Sequence, residues 1–456
     1  MKTTRGKSRS AIAAETTPSD GGASRLSTVI FGLLCFLPVF ATLIFGAVDT
    51  ITWVLIFFVW AAIVLCWLGE CWNAGGAVIN TSAIQLPVIG LLCIGVLHLL
   101  PVATTSIEPN STRFFVARLV VFLTFFAASL AFINTEKRLT RLVTGVVIFG
   151  ALMAFLGILQ RLATPEGIYG MRETPFAVPF GPFVNQHHFA AFMQMAGGVT
   201  LGLLFDKEMS REKRVLFGAA MVVMAVAVAL TGSRGGLLGF LAVSVFVIGI
   251  NFLPGPVSRS GEAETGRQKF ALIASGLAIA VVSLGTVLFL GGNEQLLRGI
   301  GAVNAEVDVS GGRLHFWPVA LSIFLEHPLL GSGLDSFAVA FTKHDSWAGF
   351  LRVDHAHNEY LHMLAEAGLA GIAAVGAFVY LLFSKGLRVI SNTDGFRRSA
   401  AIGALAGCFG ILIHSFFDFP LRTHSNSFFF LLLVVIATVS VEKSSRSRRR
   451  HRTTSL

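Results

Sequence analysis

The chain has 456 residues, of which 54% are hydrophobic and only 13% are charged, and its mean hydropathy is +0.74. Soluble globular proteins carry about a quarter charged residues, so this composition excludes that class and indicates a polytopic membrane protein. The net charge of +10 does not indicate nucleic-acid binding, because the basic residues cluster in alternate loops and at the two termini. The five cysteines lie in or beside apolar runs, without the paired spacing of a disulfide framework or a zinc site.

Polar segments flank one long apolar region. Residues 1–25 are basic and lack a cleavage pattern after the first apolar run, which predicts a disordered cytoplasmic tail before an uncleaved helix. Residues 26–441 are expected to form a single membrane domain, and residues 442–456 a basic cytoplasmic tail. Apolar runs near the roughly 20 residues that cross a bilayer predict an all-α protein with about twelve transmembrane helices. The predicted spans are 27–47, 51–69, 83–101, 114–133, 142–162, 187–205, 215–232, 235–253, 270–291, 360–384, 399–418 and 426–441.

The basic residues predict the orientation of these helices. With the N-terminus inside, 25 of the 35 Lys and Arg lie in cytoplasmic segments, and both termini are cytoplasmic. The long segment 292–358 then lies outside as a large periplasmic loop. Loops beyond about 12–15 residues are usually functional or disordered, and the large apolar residues of this one argue against disorder. We therefore expect it to contain short helices and to fold against the membrane helices.

Two arginines on the outer side are candidates for binding an anion. Arg313 follows two glycines and precedes apolar residues at helical spacing, which predicts a surface helix that ends before His327. The free N–H groups at such a helix start, together with the guanidinium, suit a diphosphate. Arg234 lies in a turn of small residues at the membrane boundary, where an unpaired charge is costly. A purely structural role at the lipid interface remains the alternative for both.

His357 lies where the long loop enters the next predicted helix, between His355 and Asn358. A histidine that is accessible from the outer side can act as a general base on a sugar hydroxyl. Helix capping is the alternative that the residues alone favour. A metal site that uses the outer histidines is a third alternative, although no recognised ligand motif is present.

Two further outer segments carry polar residues at helix boundaries. One is 181–189, which contains Asn185 and His187, and the other is 418–422, which contains Arg422. Each is suited either to line a sugar site or to cap helices.

Four motifs in order give the chain a resemblance to a known family. His357-Asn358 is followed after nine residues by a Gly-x-x-Gly that begins at Gly368. The turn 233–236, the loop arginine Arg313 and the Pro-Leu-Leu-Gly-x-Gly segment at 328–333 precede it. Together these motifs resemble the O-antigen ligase and polymerase family. The stretch Phe183-Val184-Asn185 before a predicted helix is also similar to members of that family, so the match extends over roughly 181–371.

The resemblance implies a GT-C-like fold and a glycosyltransferase of the bacterial inner membrane that acts in surface polysaccharide synthesis, without metal or cofactor. The donor would be an undecaprenyl-diphosphate-linked oligosaccharide and the acceptor a glycan or a lipid-linked glycan. Membrane lipids and other polysaccharide-assembly proteins are further expected partners, and nucleic acid is not. Arg234 and Arg313 would hold the diphosphate, and His357 would take a proton from the attacking hydroxyl. The residues expected to contact substrate are Arg172, Asn185, His187, His355, Asn358 and Arg422.

Other functions remain open on the sequence. The motifs do not separate a ligase from a polymerase. Twelve helices also suit a secondary transporter, although few carboxylates lie at mid-membrane depth. A scaffold for envelope assembly without catalytic activity is the third alternative.

Overall fold

A computed structural model describes residues 24–101, 106–163, 167–174, 177–252, 312–347 and 352–441. Two short strands, β1 (Gly167–Ile168) and β2 (Arg172–Glu173), pair antiparallel, and the remaining regular structure in these ranges is helical. The helices are α1 (Arg25–Leu43), α2 (Thr50–Ala74), α3 (Leu86–Leu97), α4 (Pro109–Phe132), α5 (Glu136–Ala163), α6 (Gln186–Leu204), α7 (Arg211–Leu230), α8 (Arg234–Phe252), α9 (Arg313–Glu326), α10 (Phe337–His344), α11 (Glu359–Asn392), α12 (Gly395–His414) and α13 (His424–Thr438).

The predicted class, an all-α polytopic membrane protein, is confirmed. Eight of the described helices are long and apolar enough to cross a membrane, namely α1, α2, α4, α5, α7, α8, α11 and α12. Helices α3 and α13 are apolar but shorter than 18 residues. Eleven of the twelve predicted spans coincide with a helix. The span at 270–291, residues 1–23 of the first tail, the tail 442–456, and residues 292–311 and 348–351 of the predicted large loop lie outside the described residues.

Helix α6 is the centre of the bundle, and every residue from 188 to 203 is buried. Its small residues explain this position, because they allow α12 to approach closely. A Cβ atom on Gly198 would lie 2.9 Å from the carbonyl oxygen of Gly403. Backbone contact of this kind stabilises membrane helices by van der Waals packing, since lipid tails give no hydrophobic driving force.

Helix α11 is broken one third of the way along, and the segment between α9 and α10 enters the break. Gly368 has φ 58° and ψ −156°, a conformation that glycine adopts readily and other residues do not. The N–H of Leu369 donates to Pro328 O at 2.9 Å, and the N–H of Gly333 donates to Glu366 O at 3.0 Å. The segment 328–333 and the glycine motif of α11 therefore contact each other, which the sequence did not indicate.

Helices α9 and α10 form a small second core beside the start of α11. It contains Phe316, Ile323, Phe337 and Phe341, all buried. Helix α9 starts at Arg313 and ends before His327, so the predicted helix is present with the expected bounds. Its position on the outer membrane surface stays a prediction. This layer places the N-terminus of α9 next to the N-terminus of α11.

Candidate functional site

His357 directly precedes the N-cap of α11. Asn358 is that cap, because its Oδ1 accepts the N–H of Tyr360 at 3.0 Å and of Leu361 at 3.1 Å. His357 has φ 50°, in the left-handed region that is uncommon outside glycine and that concentrates at functional sites. Trp317 Nε1 donates to Ala356 O at 3.1 Å, so α9 fixes the backbone that carries His357.

A buried carboxylate lies beside the His357 ring. Oδ1 of Asp418 is 3.2 Å from His357 Nδ1, although the ring is not aligned for a hydrogen bond in this conformation. The Asp418 side chain is 3% exposed, whereas the His357 side chain is 31% exposed. Burial alone would raise the pKa of Asp418, but the neighbouring His357 and His187 rings hold it well below its usual range. Asp418 therefore stays ionised and can orient His357 so that Nε2 is available to a substrate.

Arg313 lies beside the pair formed by His357 and Asp418. Its Nε donates to Phe417 O at 3.1 Å, one residue before Asp418. Gly312, with φ 83°, precedes the first turn of α9, and the start of a helix favours negative charge. The guanidinium thus lies close to the His357 and Asp418 pair, at a helix end suited to an anion.

His187 and the turn before α8 complete the group. The Nδ1 of His187 is 2.8 Å from Ser233 Oγ, which in turn accepts the N–H of Gly236 at 3.0 Å. His187 interacts electrostatically with Asp418, Arg313 and His357. The structure therefore brings His187, Arg313 and His357 together with Asp418. Exposed Arg234 follows Ser233 at the start of α8.

Arg422 is held in a separate buried group. Its Nε is 3.2 Å from Glu359 Oε1, and its Nη2 is 2.8 Å from Glu366 Oε2. Burial alone would lower the pKa of Arg422, but the Glu366 and Glu359 carboxylates raise it above its usual value. Glu366 Oε1 also accepts the N–H of Phe337 at 3.1 Å, so the group joins the start of α10 to α11. Breaking such a buried pair is strongly destabilising, which gives Arg422 a structural role.

The other residues predicted to contact substrate have varied surroundings. Asn185, like Asn358, is a helix cap, and its Oδ1 accepts the N–H of His187 at 2.8 Å. The His355 ring packs on Phe419 with centroids 4.0 Å apart. Arg172 lies on β2, where it pairs with Asp49. Contact of these residues with substrate stays a prediction.

The sequence interpretation included Asp418 and Phe419 in the candidate segment 418–422 but did not pair either residue with His357, and it missed Phe316. Phe316 and Phe419 flank the His357 ring with centroids 6.0 and 4.9 Å away. The available signal was an acidic residue at the end of a membrane helix, where an ionisable group is costly and usually functional. Within the described ranges, no group of three or more His, Cys, Asp or Glu could hold a metal ion, and metal independence stays a prediction.

The fold and this site define a polytopic membrane protein whose polar cluster is built from helix starts and the connection between α12 and α13. Residues 219–376, about a third of the chain, match the O-antigen ligase family model. This confirms the family resemblance over a stretch that contains Arg234, Arg313 and His357, and it supports a glycosyl-transfer function in membrane glycan assembly. No curated protein matches the chain.

Proposed function

We propose that the protein is an inner-membrane glycosyltransferase that moves a glycan from an undecaprenyl-diphosphate carrier to an acceptor hydroxyl on the periplasmic side. The observation that carries this proposal is the pair of His357 and buried Asp418 beside Arg313. An imidazole with one nitrogen beside a carboxylate can accept a proton at the other nitrogen. A guanidinium at a helix start suits a diphosphate leaving group.

The proposed step breaks one bond and forms one. The acceptor oxygen attacks the anomeric carbon of the donor sugar while its proton passes to Nε2 of His357. The bond between the anomeric carbon and the diphosphate oxygen breaks, and its electron pair stays on undecaprenyl diphosphate. Asp418 stabilises the imidazolium that forms. The proton then leaves His357 for solvent or for the departing diphosphate, which returns the base to its starting state.

Arg313 and Arg234 have the role of neutralising the charge that develops on the leaving group. Arginine is suited to this because its planar fork donates two parallel hydrogen bonds to phosphate oxygens. Arg234 is exposed at the start of α8, and Arg313 is half-buried at the start of α9. Two helix starts with arginines near one histidine provide a larger anion site than either alone.

The secondary transporter is a weaker alternative. An ion-coupled transporter needs an acidic residue that can exchange its ion or proton. Glu366 is the buried carboxylate of α11, and it is engaged by Arg422 and lies 3.0 Å from His362. A scaffold function without catalysis would not explain why ionised Asp418 lies beside partly exposed His357.

The proposal is tested with His357→Ala in a strain that lacks the chromosomal gene, by electrophoresis of the surface glycan. Loss of a general base typically costs about 10²-fold to 10⁴-fold, so we expect the assembled glycan to disappear. Arg313→Lys keeps the charge but loses the bidentate fork, and should reduce the glycan less than Arg313→Ala. Arg113→Ala, an exposed arginine on α4, is the matched control and should leave it unchanged. A wild-type glycan profile from His357→Ala at equal protein level would exclude the proposed reaction.

The same strain separates a polymerase from a ligase. Single repeats on the final acceptor in the deletion strain would identify a polymerase. Long chains that remain on the undecaprenyl carrier would identify a ligase.

A further inference from the structure

Trp347 lies shortly after α10, and its ring is held parallel to the His315 ring of α9. The two ring centroids are 4.1 Å apart, and the planes differ by 6°. The Phe316 ring meets Trp347 at 63°, with centroids 6.1 Å apart. His315 covers one face of the indole, yet Trp347 is 48% exposed. The exposed area therefore includes the opposite face, which is open at the protein surface.

Asp345 fixes the position of this indole. Its Oδ1 accepts the backbone N–H of Trp347 at 3.0 Å and lies 2.6 Å from Nε2 of His315. An aspartate that accepts the main-chain N–H two residues further on stabilises a turn. One side chain thus joins the end of α10 to the first turn of α9. Because the indole is already held in place, little conformational entropy is lost when a ligand stacks on it.

The surface around Trp347 is polar. The exposed residues just before it are Thr342, Lys343 and Ser346. Membrane helices of this protein expose apolar residues instead, such as Ile51 and Phe58 of α2. A face that borders lipid tails is apolar, so the polar neighbours indicate that the open indole face lies in water.

Phe316 joins Trp347 to the candidate site. Its ring centroid is 6.1 Å from that of Trp347 and 6.0 Å from that of His357, so at most about 12 Å separates the two outer rings. His315, on which Trp347 stacks, belongs to the same first helical turn as Arg313. The open indole face is therefore within reach of an oligosaccharide whose end lies at His357.

A pyranose ring fits such a face. The C–H groups on one side of a sugar ring carry partial positive charge, whereas the face of an aromatic ring is negative. Stacking also removes apolar surface of both rings from water. A diphosphate is negatively charged and is repelled by the same ring face, so the carrier does not compete for it.

We propose that the open face of Trp347 is a sugar-binding subsite, which stacks on one pyranose ring of the carrier-linked glycan beyond the sugar that reacts at His357. His315 and Asp345 are positioning residues that hold the indole. The identity of the glycan rests on the proposed function, but stacking on Trp347 requires no transfer reaction. The subsite contributes affinity for the glycan part of the donor and none for its diphosphate carrier.

The test is the dissociation constant of an oligosaccharide released from the cell's own surface glycan, measured by ligand-detected NMR with the full-length protein in lipid nanodiscs. Trp347→Ala should weaken binding by about tenfold, which corresponds to about 1.4 kcal/mol. Trp347→Phe keeps an aromatic face and should bind more tightly than Trp347→Leu, which keeps only the apolar character. Trp72→Ala removes an exposed tryptophan of α2 and is the matched control, with wild-type binding expected.

Two further measurements separate the sugar from its carrier. Undecaprenyl diphosphate without glycan should bind equally to the wild type and to Trp347→Ala. In the transfer assay, Trp347→Ala should raise the KM for the carrier-linked glycan more than it lowers kcat, because the stacked ring lies away from the reacting bond.

Wild-type oligosaccharide binding by Trp347→Ala would overturn the proposal. Equal binding by Trp347→Phe and Trp347→Leu would overturn it too, since apolar contact of the kind made with lipid would then suffice. If His357→Ala made wild-type glycan while oligosaccharide binding still depended on Trp347, the proposed reaction would fail and the sugar subsite would stand. If His357→Ala lost the glycan while Trp347→Ala bound normally, only the subsite would fail.

Discussion

Asp418 is expected to act through its charge, and the charge can be removed with little change in shape. The pKa of Asp418 is held well below its usual range, so the carboxylate is ionised at every pH from 6 to 8. Asp418→Asn should therefore lower glycan transfer by about 10²-fold. This factor should be similar at every pH between 6 and 8. The measurement is the initial rate of transfer in membranes at each pH.

Asp418→Glu is the control for this substitution, because it keeps the charge and should retain more activity than the Asn variant. An Asn variant with the wild-type rate would show that the carboxylate does not orient His357. The same carboxylate also contributes to stability. Because its pKa in the folded protein is depressed, that contribution is present above the ordinary Asp value near 4, and it is lost as the pH falls through the folded value.

Asp335 has the opposite pH dependence. Burial, with Glu366 as a second cause, raises the pKa of Asp335 to about 6. Ionising it in the folded protein is unfavourable, so its cost to stability appears as pH rises from about 4 and is complete above 6. A third of the side chain is exposed, which screens the effect, so Asp335→Asn should stabilise the protein by about 1–2 kcal/mol at pH 7.5.

The stability of Asp335→Asn is best followed as the thermal midpoint in detergent at two pH values. Asparagine tolerates the φ of 63° at this position, so the backbone should not change. We expect no difference from the wild type at pH 4, where the wild-type carboxyl is protonated. Exposed Asp354→Asn is the control, and a lower midpoint for the Asp335 variant at pH 7.5 would contradict this account.

At the scale of elements, the break in α11 carries the strongest steric requirement. A Cβ atom on Gly368 would lie 2.6 Å from the carbonyl oxygen of Leu329, and the backbone conformation there is itself unfavourable for alanine. Gly368→Ala should therefore destabilise the protein by about 3 kcal/mol or more. Gly376 lies in the same helix with nothing within 4 Å of an added Cβ. Gly376→Ala should be neutral or slightly stabilising.

Size-exclusion chromatography of heated detergent extracts measures this difference. The Gly368 variant should lose its monodisperse peak at a lower temperature than the wild type, and the Gly376 variant should not. Equal behaviour of the two variants would mean that the packing of the segment 328–333 does not depend on the glycine at the break. Because that segment connects α9 to α10, its displacement in the Gly368 variant should also move His357. The backbone beside His357 is hydrogen-bonded to α9 through Trp317.

Hydrophobic runs predicted the helices well, because a bilayer requires long apolar segments with internally satisfied backbone groups. The start of α9 at Arg313 and the helix start after His357 also followed from local signals. Contacts between segments that are distant in the sequence did not follow from local signals. The pairing of Asp418 with His357 and of Arg422 with Glu366 joins residues more than 50 positions apart, and neither periodicity nor composition specifies such contacts. The motifs at 368–371 and 328–333 were both visible in the sequence, but the contact between them was not.

At the scale of the whole molecule, the candidate site is built where several chain segments converge. The starts of α6, α8, α9 and α11 and the connection from α12 to α13 all contribute to it. Each helix start carries a partial positive charge, so the four starts together favour an anion at this place. Side-chain oxygens of Asn185, Ser233 and Asn358 already accept N–H groups at three of them. This arrangement explains why the polar residues are scattered along the sequence, since each belongs to a different helix end.

The predicted orientation determines on which side of the membrane the candidate site lies. If the basic loops are cytoplasmic, the connection before α7 lies inside and the connection after α10 lies outside. Ser210 and Ser346 are exposed residues in these two connections. In a cysteine-free variant, Ser346→Cys should react with a membrane-impermeant maleimide in intact spheroplasts. Ser210→Cys should react only after the membrane is permeabilised.

The reversed pattern would place the His357 cluster on the cytoplasmic side, where a carrier-linked glycan displayed on the periplasmic face does not reach it. That result would exclude the proposed reaction even if the His357 variant were inactive. Reaction of both cysteines in intact spheroplasts would contradict the assignment of the two connections to opposite sides. Because α6 to α8 and α9 to α11 both contribute to the cluster, a single labelling pattern fixes the side for the arginines and the base together.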